Sequence, residues 1–177
     1  MGQSDQSLER KAKTNTSVFR KRYQQWVTPV YRYFLYRVRN TKEAEDLTSQ
    51  VFLEILEQLP NYTENGHFPA WLFSIVRYTS ADHFRSFKPE IPIETTEISA
   101  DLLPLLDHAV YTEELRCLSR LIQALPENEQ ELIRLRFVAG LKYGELAVVL
   151  KRDKDAIRKQ VSRLLRRLQE KLEEENV

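Results

Sequence analysis

Residues 125–172 read LPENEQELIRLRFVAGLKYGELAVVLKRDKDAIRKQVSRLLRRLQEKL, and the punctuation of this stretch decides the fold. Pro126 followed by Glu127 and Glu129 marks a helix start, since proline suits a first turn and carboxylates there meet the exposed amides. Gly140 stops that helix. A short second helix carries Tyr143, Leu146, Ala147 and Leu150 on one side. Lys151, Arg152 and Asp153 break it, and Asp153 is placed to cap a third. In the third helix Ile157, Val161, Leu164, Leu165, Leu168 and Leu172 fall at the three-and-four spacing of a single apolar stripe. The order is helix, tight turn, helix.

The other face of the third helix displays Lys154, Arg158, Lys159, Ser162, Arg163, Arg166 and Arg167. These are phosphate-seeking cations mixed with residue types able to hydrogen-bond base edges in a major groove. From Arg134 to Leu172 there are twelve Lys or Arg against four acids, a net of +8. A merely solvated face usually alternates its signs. This one is single-signed and lies on the second helix of a helix-turn-helix pattern, which points to duplex DNA.

Working outward, the composition fits helices. Of 177 residues 42% are hydrophobic, 30% are charged and only four are Gly, and no alternating strand pattern of useful length occurs. The fold class expected is all-α: two small helical domains joined by an acidic flexible linker, the second containing the helix-turn-helix. A single cysteine, Cys117, excludes an internal disulfide framework and any multi-cysteine zinc site, and it reads as a core residue. No apolar run is long enough to cross a bilayer, and the N-terminus lacks the apolar core of a signal peptide, so a cytoplasmic location without membrane insertion is expected. The net charge of +1 argues against a general nucleic-acid coat, but the charges are unevenly distributed.

Residues 1–17 are polar, without apolar periodicity, and are expected to be disordered. Residues 18–88 form the first domain. Between Val18 and Asn40 there are six basic residues and no acid, while Val27, Val30, Tyr31, Phe34, Leu35 and Val38 make a helical stripe. Thr41 can cap a second helix with its stripe at Ala44, Leu47, Val51, Ile55 and Leu59, and acids at Glu43, Glu45, Asp46, Glu54 and Glu57. A loop from Pro60 to Pro69 scatters Tyr62, His67 and Phe68 among turn formers. A third helix from Ala70 to about Phe87 interleaves Trp71, Phe73, Tyr78 and Phe84 with Arg77, His83 and Arg85. Aromatics beside cations suit single-stranded nucleic acid, because bases stack on rings while charge holds the backbone. Most of these rings are nonetheless expected in the core. Residues 89–110 are the linker, with prolines at 89, 92 and 104. From Lys88 to Glu114 seven acids face one Lys, net −6. Residues 111–177 are the second domain, opening with Tyr111, Leu115, Leu118, Ile122 and Leu125 at helical spacing.

In this order the residues resemble the sigma-70 family of transcription initiation factors, and in particular its small two-domain extracytoplasmic-function (ECF) group. In the first domain Ala44-Glu45-Asp46-Leu47 with Val51-Phe52 looks like the family's acidic helix. Trp71-Leu72 through Ile75, with Asp82 and Arg85, looks like its promoter-melting helix. In the second, Leu125-Pro126, Arg134-Leu135-Arg136-Phe137, Gly140-Leu141, Tyr143, Glu145-Leu146-Ala147 and Leu150 repeat the other half of the pattern. The resemblance covers about Tyr23 to Leu172. It implies binding to core RNA polymerase, recognition of promoter DNA both as duplex and as melted strand, and an anti-sigma factor as a further candidate partner. It implies no enzymatic activity and no cofactor or metal.

Carried residue by residue, the resemblance puts Glu45, Asp46, Gln50 and Glu54 on a polymerase-facing helix. Tyr62 falls in the loop that captures an extruded base, near His67 and Trp71, with Arg77, Tyr78 and Arg85 on the melting helix. Lys154, Arg158, Lys159, Ser162, Arg163 and Arg166 fall in the groove of the upstream element. The chain departs from the family's habit at Ser49-Gln50, where Gln-Glu is common, and at Tyr78, where Asn is common. It departs again at Lys151, where Gly is common, and at Ala156, where Thr is. A stand-alone helix-turn-helix regulator would account for the second domain, but it would leave the first without work and would be expected to dimerise on two half-sites. A helical adaptor would leave the one-signed face unexplained. An enzyme would need a phosphate-cradling loop or paired histidines, and His67, His83 and His108 are isolated.

Overall fold

The computed structural model describes residues 3–63, 67–86 and 109–175. Among these described residues seven α-helices run α1 (Gln3–Val38), α2 (Thr41–Gln58), α3 (Phe68–Ser86), α4 (Ala109–Gln123), α5 (Glu127–Ile133), α6 (Tyr143–Leu150) and α7 (Lys154–Glu175). No strand occurs among the described residues, so the all-α expectation holds. The chain divides into two compact units, Met1–Pro92 and Ile93–Val177. The acidic linker expected at 89–110 lies outside the described residues except at its last two positions, which open α4. Among the described residues no helix is long and apolar enough to cross a membrane.

Unit 1 is a three-helix bundle. One face of α1 presents Tyr23 to Phe52 of α2, with ring centroids 4.8 Å apart, and the neighbouring face presents Trp26 and Tyr33 to Phe73 of α3 at 6.1 and 6.0 Å. Arg22 lies over Phe68 near the start of α1's packed region, and Arg37 lies over Phe84 at its end. α1 and α3 therefore run the same way. α2 returns between them, its first turn meeting the end of α3 through Glu43 and His83, 3.3 Å apart. Val30, Phe34, Ala44, Val51, Ile55, Leu72 and Phe73 are buried at the centre. Burying a large apolar side chain there stabilises by about 1.5–3 kcal/mol.

Three local expectations are corrected. The polar stretch to Ser17 continues α1 back to Gln3 instead of being unstructured; residues 3–17 contain good helix formers and neither Pro nor Gly. α2 is capped by Asn40, whose Oδ1 accepts from the Glu43 amide at 3.0 Å, and Thr41 is already helical. The reason lies one residue earlier, where Arg39 takes a left-handed conformation (φ 55°) that ends α1 and leaves Asn40 extended as the cap. α3 starts at Phe68, with Pro69 inside its first turn, where its missing N–H costs nothing.

In unit 2 the glycine stop, the turn and the cap appear as read. Gly140 has φ 75°, Lys151 ends α6 at φ 52°, and Asp153 Oδ1 accepts from the Ala156 amide at 2.8 Å. α6 is capped from its other side, the Lys142 amide donating to Glu145 at 2.6 Å. α7 packs its stripe against α4, α5 and α6. Leu164 and Leu168 meet Ile133, with Leu121, Ile122 and Leu125 around them. Leu165 does not join the stripe: it is 43% exposed, at the border with the basic face. Between α5 and Gly140 the helix widens into a π-helical turn, Arg134–Val138, with Ala139 donating to the Arg134 carbonyl at 2.8 Å. Arg134, at the start of this turn, is 5% exposed, and Glu127 and Glu131 hold its guanidinium.

Candidate nucleic-acid interface

The upstream set lies on α7. Asp153 fixes its first turn, and Ile157, Val161, Leu164 and Leu168 are buried on one side. The opposite side must therefore face solvent. Lys154, Arg158, Lys159, Ser162, Arg163 and Arg166 are all exposed, and the last five line one open hollow of about 500 Å³. Arg158 approaches Asp155 at 3.8 Å, a loose exposed pair. Arg167 is drawn out of the set: Glu129 of α5 pairs with it, so it serves as a clasp between helices. A helix of this kind, with hydrogen-bonding side chains among cations and a packed back, fits a major groove.

The downstream set lies in unit 1, where Tyr62, Phe68 and Trp71 form one aromatic cluster. Tyr62 leaves the short 3-10 turn Leu59–Asn61 and tilts against Trp71 with centroids 4.6 Å apart, while Phe68 meets Tyr62 at 5.6 Å and Trp71 at 5.5 Å. Phe68 is buried. Tyr62 and Trp71 are half-buried. His67, exposed, is tied to this cluster by the chain, its carbonyl accepting from the Trp71 amide at 3.0 Å. Along α3, Tyr78 is 64% exposed, Arg77 is half-buried, and Arg85 pairs with Asp82 at 3.1 Å on the open surface. The expectation that most α3 rings are core is corrected. Of Trp71, Phe73, Tyr78 and Phe84 only Phe73 is buried, because the Leu, Ile and Val of α3 fill the remaining core positions.

The acidic set lies on the outer face of α2. Asp46, Gln50 and Glu54 line a shallow hollow with Ser49, Leu53 and Glu57. Glu45 is exposed next to it. Leu53 was not singled out from the sequence. It is 63% exposed amid carboxylates, and Leu56 is exposed beside it. Its signal in the sequence was a leucine that falls outside the Ala44-Leu47-Val51-Ile55 stripe.

Cys117 is buried on α4 and donates to Glu175 near the end of α7 at 2.9 Å. That hydrogen bond to a carboxylate, together with burial, pushes the thiol above its ordinary range. The position is structural in character, as its core assignment from sequence requires.

Residues 21–88 match the family described as sigma-70 region 2, and residues 115–168 match that described as sigma-70, region 4. The chain is similar to the ECF RNA polymerase sigma factor BldN of Streptomyces coelicolor, 34% identical over 165 residues, covering 91% of this chain and 62% of BldN. It thus spans under two thirds of that relative. RNA polymerase sigma factor SigZ of Bacillus subtilis is 31% identical over 129 residues, 71% of this chain and 70% of SigZ. Among solved structures the fold is similar to the sigma factor RpoE from Bartonella quintana, crystallised with the anti-sigma factor NepR, at TM-score 0.68 and 21% identity, covering 88% of this chain and 96% of RpoE. It is also similar to CnrH in complex with the cytosolic domain of CnrY, at TM-score 0.63 and 18% identity, covering 93% and 91%.

Proposed function

We propose that this chain, which belongs to the sigma-70 family of RNA polymerase sigma factors in its ECF group, divides promoter reading between its two units. As a sigma factor it binds core RNA polymerase and directs transcription initiation. In the division proposed, α7 reads the upstream element as duplex through Arg158, Lys159, Ser162 and Arg163, with Lys154 and Arg166 on flanking phosphates. Tyr62 and Trp71 hold a base of the melted downstream strand, and His67, Arg77, Tyr78 and Arg85 follow its backbone. Glu45, Asp46, Gln50 and Glu54, with Leu53 among them, face the polymerase. The chain acts as a non-enzymatic regulator in the cytoplasm, and an anti-sigma factor is among its partners, as NepR is for RpoE.

The observation that carries this division is the contrast of surfaces: exposed cations on a helix packed from behind in one unit, and half-open aromatic faces in the other. Duplex DNA offers charge and groove edges, whereas a strand pulled from the stack offers base faces. The test is a promoter melted in advance over the downstream element, assayed with holoenzyme rebuilt from variant chains. Pre-melting, which supplies the strand-separation energy but no upstream contact, should restore more of the initiation lost by Tyr62→Ala than of that lost by Arg158→Ala. Equal rescue of both would overturn the division. The free chain should bind promoter duplex weakly, because a single short module buries too little surface for tight specific binding. Nanomolar sequence-specific binding without polymerase would favour a stand-alone regulator.

A further inference from the structure

A cation stacked on the aromatic cluster of unit 1 comes from α1, not α3, and was not among the residues singled out for strand binding. Arg22 of α1 places its guanidinium carbon 4.3 Å from the centroid of the Phe68 ring, and Phe68 in turn meets both Tyr62 and Trp71. One cation and three rings are thus contiguous, with two of the rings half open to solvent. The same helix supplies Arg20 and Lys21, and the sequence between Val18 and Asn40 contains no acid.

We propose that Arg22 is a backbone contact of the melted strand, holding a phosphate next to the base stacked on Tyr62 and Trp71. This rests on the strand-capture role proposed for Tyr62. The chemistry favours arginine at this place. Stacking on a ring uses the guanidinium's face, while its five donors lie in the plane, the arrangement that meets phosphate oxygens two at a time. Phe68 is itself buried in the bundle, so the cation is held on a rigid support and little side-chain freedom is lost on binding.

The alternative is that Arg22 only pins α1 to α3. The molecule contains the control, because Arg37 lies over Phe84 at 4.6 Å at the other end of the same two helices, away from the Tyr62 cluster. The experiment measures binding of holoenzyme, rebuilt with the full chain, to a promoter unpaired in advance over the downstream element, across a salt series. The promoter is one mapped upstream of a start site after overproduction of the protein. Arg22→Met should weaken binding and reduce the slope of log affinity against log salt by about 0.7, the loss of one single-strand phosphate contact. Arg22→Lys, which retains the charge, should keep the wild-type slope, and Arg37→Met should leave it unchanged. An unaltered slope in Arg22→Met, or an equal change in Arg37→Met, reduces Arg22 to a helix pin. Should Arg22→Met fail to fold, the same comparison is made between Arg22→Gln and Arg22→Lys. Tyr62→Ala, run alongside, should lower affinity with its slope intact. If it does not, while Arg22→Met flattens the slope, the base-capture reading fails and Arg22 contacts the strand without a base stacked on Tyr62 beside it. If both variants bind as wild type, both fail.

Discussion

The two units carry their candidate nucleic-acid surfaces in opposite ways. In unit 2 core and site are separate sides of one helix: Ile157, Val161 and Leu164 are buried, and Arg158, Lys159 and Arg163 stand in water. In unit 1 they are the same residues seen from two sides, since Phe68 is buried while Tyr62 and Trp71, packed on it, are half open. A face made of exposed cations can be altered without touching the fold. A face made of half-buried rings cannot, and variants at the two sites should therefore fail differently.

The largest effects should come from the cores and should be alike in the two units. Phe73→Ala in unit 1 should cost about 3–5 kcal/mol, and Leu164→Ala in unit 2 about 2–5 kcal/mol, both read from denaturant unfolding of the full chain. Next in size are the site variants, where the units should part. Tyr62→Ala should lose about 1–3 kcal/mol of strand binding from missing stacking, and it should also lower stability measurably, because Phe68 and Trp71 lose a packed neighbour. Arg158→Ala and Arg163→Ala should each lose about 1–3 kcal/mol of promoter affinity if they meet base edges, with stability within about 0.5 kcal/mol of wild type. If Arg163→Ala destabilised the chain as much as Tyr62→Ala, the separation of core from site on α7 would be lost.

This contrast also explains what could be read from the sequence. The unit 2 surface was legible because one periodicity sorts apolar from basic positions along α7, and because Gly140 and Asp153 mark its approaches. Arg167 was the exception. Its partner Glu129 lies 38 residues away on α5, and no local pattern records such a pair. Unit 1 was legible as helices but not as a surface: nothing in the spacing of Trp71, Phe73, Tyr78 and Phe84 says that only Phe73 is enclosed. Arg22 was only one of six basic residues between Val18 and Asn40, because its ring partner, Phe68, belongs to another helix. The Asn40 cap was missed in favour of Thr41 for a backbone reason, the left-handed turn at Arg39, which a non-glycine residue does not advertise.

Those left-handed residues allow a finer comparison. Arg39 closes α1 at φ 55° and Lys151 closes α6 at φ 52°, each with a Cβ that this conformation disfavours. Glycine relieves that conflict, worth about 1–2 kcal/mol, but gives part of it back as extra freedom of the unfolded chain. Lys151→Gly and Arg39→Gly should each stabilise the fold by up to about 1 kcal/mol in thermal unfolding. Lys151→Gly also removes a cation beside the start of α7, so promoter affinity should fall slightly as stability rises. A fall in stability on either change would mean that the lost side chain contributes more than the strain it carries.

The smallest expected effect concerns Asp153, where stability and DNA binding pull against each other. Its Oδ1 accepts from the Ala156 amide, and its charge lies at the positive end of α7, so it stabilises the helix on both counts. The same charge sits one residue before Lys154, at the end of the face proposed to approach phosphates, where it repels DNA. Asp153→Ala removes cap and charge together and should cost about 1 kcal/mol of stability. Asp153→Asn keeps an oxygen that can cap and removes only the charge. It should stay within a few tenths of a kcal/mol of wild type in unfolding. In holoenzyme binding to a promoter that depends on the upstream element, the Asn variant should gain affinity at low salt and lose that gain as salt screens the repulsion over about 10 Å at 0.1 M. A gain that persisted at high salt would make the contact a direct one, with the Asn amide donating to the DNA. No gain at any salt would move α7's first turn away from the phosphates and shift the bound face toward Ser162 and Arg166.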